Sequence, residues 1–126
     1  MAEYTFDVQK LYIEMLLADA ESFARAQNIF KPESFDRKLQ PIAKFVKDYM
    51  DEYKVMPEVE IVNAQFDVKL KSAKDLDPSH FNWLLDEFET FSRHKALERA
   101  ILQSADMLEK GDYAPVEDMV KQAVSV

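Results

Sequence analysis

"DPSHFNWLLDEFETFSRHKALERAILQSADMLEKGDYAPVEDMV", residues 77–120, decides the fold. Asp77-Pro78 reads as a helix start, with an N-cap followed by a proline at the first helical position. No breaker follows until Lys110, which predicts a helix of about 33 residues, roughly 50 Å long at 1.5 Å per residue. Projected at about 100° per residue, Phe81, Leu84, Leu85, Phe88 and Phe91 share one arc of about 120°. Leu97, Ile101, Ala105 and Leu108 share a second arc, centred roughly on the opposite side. The change falls across "SRHKA", residues 92–96, which holds no large apolar side chain. A helix with two such faces has two different partners, or it breaks near His94. Gly111, the only glycine in the chain, suits a left-handed C′ position. Pro115 then opens a last helix, with Glu117 and Asp118 favourably placed in its first turn. Its apolar face is Val116, Met119, Val120, Ala123 and Val124.

These features predict an all-α protein: a small helical body over residues 1–92, a long helix, and a protruding antiparallel hairpin over residues 93–126. Leu97, Ile101 and Leu108 are expected to bury against Val116, Val120 and Val124 within the hairpin. Ala100 and Met107 flank the first arm's stripe, with Leu102 beyond it, and one neighbouring helix cannot cover so wide an arc. Leu102 and Met107, with Met119 as a further candidate, are therefore expected to meet another chain, because a large apolar patch usually marks an interface.

The body reads as helix throughout. Phe6, Val8, Leu11, Tyr12, Met15 and Leu16 fall at helical spacing, and Asp19 reads as the N-cap of a second helix, "AESFARAQNIF". Lys31-Pro32 stops that helix. Residues 41–54 give the clearest stripe, Ile42, Phe45, Val46, Tyr49, Met50 and Tyr53, behind a first-turn Pro41. Pro57 opens a short helix holding Val59, Val62 and Phe66. Residues 67–77 read as a loop or a short extra helix.

Composition narrows the chemistry. The 126 residues are 48% hydrophobic with no cysteine, which supports a real core and excludes disulfides, thiolate metal sites and thiol catalysis. No apolar run is long enough to span a membrane, and the opening residues lack the order of a signal peptide, so a cytoplasmic protein is expected. A net charge of −8 disfavours duplex DNA binding, which draws most of its affinity from phosphate neutralisation. The small basic clusters, Lys69, Lys71 and Lys74, then Arg93, His94 and Lys95, read as solvated surface. One glycine excludes both a Walker A loop and a dinucleotide fingerprint. His80 suits a surface or capping role, no Glu-x-x-His pair suggests a di-iron bundle, and carboxylates such as Asp51 and Glu52 fall on polar faces. No catalytic, cofactor or metal residue is assigned. Trp83 lies off its helix's stripe and either fills a crevice in the body or anchors a partner.

The order of three stretches resembles a known family. These are "LYIEMLLADAESFARAQNIFKPESF", then "DEYKVMP", and then "HFNWLLDEFETFSRHKALERAILQ" running into "VEDMVKQAVSV". The chain resembles, over nearly its whole length, the N-terminal domain of DnaB-type hexameric replicative DNA helicases, closest to those of tailed bacteriophages. Trp83-Leu84, Glu87, Glu89, Phe91 and Lys95-Ala96 carry the likeness, through order and spacing rather than one diagnostic motif.

The resemblance implies a non-catalytic assembly and docking domain. A RecA-like ATPase would follow it, and ATP and Mg are expected only in that missing part. Family N-terminal domains pair into a collar, which in bacterial members binds the primase. A second copy through the hairpin, a primase and, as a further candidate, a helicase loader are the partners so implied. The chain stops at Val126, about where the family's linker would begin. A free-standing helical adaptor is the alternative, and a small helical enzyme using surface carboxylates is a distant third.

Overall fold

The structure is a computed structural model, and it describes residues 4–77 and 79–124. It is all-α, and no strand occurs among the described residues. Among the described residues six α-helices follow in order: α1 (Phe6–Ala18), α2 (Ala20–Ala26), α3 (Gln40–Tyr53), α4 (Val59–Asn63), α5 (Ser79–Glu109) and α6 (Tyr113–Val124).

Helix α1 is the centre of the body. Thr5 caps it by accepting from the Val8 amide at 3.2 Å. Tyr12, Ile13, Met15, Leu16 and Leu17 are all buried, so apolar residues run around more than one face, as a helix covered on several sides requires. Gln9 is also buried, and it earns its place by pairing. Its side chain donates to the Tyr4 carbonyl at 2.8 Å and accepts from the Asp36 amide at 2.6 Å, tying α1 to the turn that leads into α3. Buried Glu14 accepts from the Lys71 amide at 2.6 Å and from Lys10 at 3.0 Å. That pairing anchors residues 67–77, which form no regular helix.

The second helix is shorter than its sequence suggests. It ends at Ala26 and passes through a 3-10 turn, Gln27–Ile29, and a second one, Pro32–Ser34. Asp19 stands at its N-cap position, but the carboxylate accepts from the Ser22 hydroxyl at 2.6 Å instead of a backbone amide. The irregular stretch carries Phe30 and Phe35 into the core, where they meet Phe88 with ring centroids 6.1 Å away in each case. Tyr12 and Phe91 close this aromatic cluster at 5.5 Å. Rings at such offset and tilted separations each add roughly 0.5–1.5 kcal/mol beyond the area they bury.

On α3, Pro41 sits in the first turn, and Ile42, Ala43 and Val46 are buried. Phe45, Tyr49 and Met50 are half-buried, while Tyr53 is exposed, so the stripe leaves the core before the helix ends. Lys54 terminates α3 in the left-handed region, its amide donating to the Met50 carbonyl at 2.9 Å. Helix α4 ends at Asn63, before Phe66.

Asp77 accepts from the Ser79 amide at 2.9 Å at the start of α5, a contact that lowers its carboxyl pKa; Pro78 lies outside the described residues. Helix α5 is unbroken across His94. Leu84, Phe88 and Phe91 of its N-terminal half bury in the body, whereas Ala100 and Ser104 of its C-terminal half bury against α6. The chain reverses through a Schellman motif: the Asp112 amide donates to the Met107 carbonyl at 2.9 Å and the Gly111 amide to Leu108 at 3.1 Å. Gly111 has φ +80°, which only glycine adopts freely. Helix α6 begins at Tyr113, two residues before the predicted Pro115 start. Proline is tolerated there because a first-turn amide has no intrahelical acceptor.

Candidate association surface

The two arms of the hairpin meet along a seam of small side chains. Ala100, Ser104 and Ala123 are its buried members, and Ala96, Met107, Val116 and Met119 are half-buried beside them. Ala96, Ala100 and Ser104 form an i, i+4, i+8 row on α5, which lets the helices approach closely. The Ser104 hydroxyl finds no hydrogen-bond partner there among the described residues.

This arrangement corrects the predicted pairing within the hairpin. Ile101 and Leu108 of the first arm are exposed at 66% and 50%, and Val120 and Val124 of the second at 43% and 59%. Leu97 and Val116 are only half-buried. Met107 and Met119, expected to meet another chain, instead lie half-buried along the seam. Leu102 is exposed, as an outward-facing residue would be. The physical reason is the tight turn. A two-helix hairpin closed by so short a link brings its axes close, so the small residues take the contact and the large ones are rotated by about 90° to its flank.

That rotation has a consequence. Viewed down the hairpin, residue numbers advance counter-clockwise on one arm and clockwise on the antiparallel other. On both arms the large apolar residues at the flank, half-buried Leu97 included and outward-pointing Leu102 excepted, follow the seam by about a quarter turn in their own helical sense. Leu97, Ile101 and Leu108 therefore face the same side as Tyr113, Val120 and Val124. The other flank is polar, with Arg99, Gln103, Gln122 and Lys31 around a shallow depression. The hairpin thus has one apolar face and one polar face.

The base of the hairpin is tied to the body by modest contacts. Arg99 lies 3.5 Å from Glu33, and the Ser92 hydroxyl donates to the Ile29 carbonyl at 3.3 Å. The buried core of the body runs from Tyr12 to Phe91 and includes no hairpin residue.

Trp83 is half-exposed, its ring tilted at 6.4 Å from Tyr12 on α1, so one side rests on the body and the other is open. His94 is on the surface, 3.5 Å from Glu98 and with its ring 5.4 Å from Tyr4. Among the described residues, no group of three or more His, Asp or Glu side chains is placed to hold a metal ion. No helix among them is long and apolar enough to cross a membrane.

Ala123 lies on the face of α6 expected from its spacing, and Ala100, expected only at the flank of the α5 stripe, is at the centre of the seam; Ala96 and Ser104 as seam residues, and Tyr113 as a member of the exposed face, were not foreseen. The signal was present as the four-residue spacing of small side chains on α5, outweighed by the larger residues beside it. Comparison of the chain with protein-family models, with curated proteins and with solved structures finds no match.

Proposed function

We propose that this chain is a non-catalytic association domain that pairs with a second copy through the apolar face of its hairpin. One observation carries the reading: exposed large apolar side chains from both arms of the hairpin occupy one side of it, while the opposite flank is polar. An isolated hairpin of this size has little core of its own, and a second copy laid across the apolar face would supply one. A two-fold arrangement suits such a face, because it is self-complementary when it meets itself.

The more specific proposal rests on the sequence resemblance. In that reading the chain is the N-terminal domain of a DnaB-type replicative helicase and helps form the collar that receives the primase. The full-length protein would unwind DNA with 5′ to 3′ polarity at the expense of nucleoside triphosphate. The acidic surface, net −8, suits a basic patch on a partner. A Walker A sequence in the gene beyond Val126 would separate this proposal from a free-standing adaptor.

Sedimentation equilibrium tests the association. Ile101→Asp with Val120→Asp should shift the chain to monomer while its helical circular dichroism is kept. Each buried apolar side chain is worth roughly 1.5–3 kcal/mol, so the pair should weaken association by more than about a hundredfold. A wild-type chain that stays monomeric at high concentration, or a double variant that associates as wild type does, would refute the proposal.

A further inference from the structure

A second surface lies on the body, away from the hairpin. Along α3, Phe45, Tyr49 and Tyr53 line up at successive helical turns, their rings tilted by 45° and 51° to one another with centroids 5.9 Å and then 4.7 Å apart. Phe66 backs the first ring at 5.8 Å. Ile61 and Gln65 from the end of the neighbouring α4 segment face this ladder across an open groove of about 410 Å³. The ladder begins half-buried at Phe45 and ends with Tyr53 at 57% exposure. Asp48 and Glu52 rim the same groove. Asp48 is shared with Lys44 at 2.8 Å, whereas Glu52 pairs with no cation among the described residues. The carbonyl end of α3 adds its negative dipole beside Tyr53.

We propose that this groove is a docking site for a basic amphipathic segment of a partner protein. An arginine or lysine would stack on Tyr53 and pair with Glu52 and Asp48, while an aliphatic side chain rests on Tyr49 and Ile61.

Charge complementarity selects this occupant. Aromatic faces attract cations, and here the ring ladder and the carboxylates converge on one place. Aromatic ladders also stack nucleic-acid bases, but those sites line their grooves with positive charge, and an acidic rim repels phosphate. A second copy of this chain is disfavoured on the same ground, because its own groove would bring like charges together. The proposal does not rest on the hairpin reading, since the two surfaces share no residue.

The test is a nuclear magnetic resonance titration of the whole chain with a short synthetic peptide of alternating leucine and arginine. Saturable shifts should centre on the amides of Tyr49, Tyr53, Ile61 and Gln65. Tyr53→Ser and Glu52→Lys change exposed side chains, so the fold should survive, as circular dichroism would verify. Each should weaken the peptide by about tenfold, the scale of one cation–π contact or one close ion pair. Replacing the peptide's leucines by serine at unchanged charge should weaken it as much. The Ile101→Asp, Val120→Asp variant should bind the peptide as wild type does, which keeps this outcome separate from that of the association. Four results would each overturn the proposal: shifts spread evenly over the acidic surface, equal binding of the serine peptide, variants that bind like wild type, or the same amides moving with a single-stranded oligonucleotide.

Discussion

Exchanging the size of two adjacent residues on α5 tests which face of the first arm meets the second. Ala100 is buried in the seam, and Ile101 next to it is 66% exposed. Ala100→Leu forces three extra carbons between two helices held close by the Schellman turn. Overpacking of this kind costs typically about 1–3 kcal/mol. Ile101→Ala removes a side chain that the monomer leaves in water, so its cost should stay within about 0.5 kcal/mol. With an unfolding entropy of about 2.1 cal/mol/K per residue, the 126 residues give about 0.26 kcal/mol/K. Ala100→Leu should therefore lower Tm by about 4–12 °C, and Ile101→Ala by about 2 °C or less.

Thermal unfolding followed by circular dichroism, at a dilution where the chain sediments as a monomer, reads both values. The opposite pattern is expected if Leu97, Ile101 and Leu108 formed the seam. Ile101→Ala would then open a cavity costing about 2–5 kcal/mol, and Ala100→Leu would fall on a free flank. That reversal would refute the assignment of the apolar face along with the seam.

Three further outcomes follow from single residues. Gly111→Ala should cost about 1 kcal/mol in Tm-derived stability, all of it from the left-handed backbone, because a Cβ there meets nothing within 4 Å. Ser104→Ala should be neutral or stabilising by up to about 1 kcal/mol in urea unfolding, since it removes a buried hydroxyl that has no partner among the described residues. Tyr12 titrates at about 12, pushed up first by burial and then by the charge of Glu87. The folded state thus holds this proton where the unfolded chain has lost it, so stability falls as pH rises from about 10 towards 12, by at most about 1 kcal/mol per unit from this group. Tyr12→Phe should remove that component of the slope in alkaline urea titrations, and an unchanged slope would show that Tyr12 is not its source.

How much of this was legible in the sequence depended on whether periodicity or distance set the structure. The span of α5 and the left-handed turn at Gly111 follow from local chemistry, and both are visible in the residues. So is the division of α5, because Phe81 to Phe91 and the residues beyond Ala96 cannot share one partner on a straight helix. The placement of Phe30, Phe35 and Leu39 in the core was not legible. These residues sit in irregular backbone, and only the fold around Phe88 and Phe91 gives them a reason to turn inward. Nor was the seam. Reading a helix by its largest apolar residues assumes that they seek the nearest neighbour, which holds where elements are free to separate. A link of two or three residues removes that freedom, so the contact goes to whichever row of side chains is smallest. Ala96, Ala100 and Ser104 win it, Leu97 is left half-covered, and Ile101 and Leu108 face outward. The same reversal explains why the surface proposed for pairing is not the one expected from Met107 and Met119. In a hairpin this tight, the residues that look most like core are the ones the monomer cannot cover.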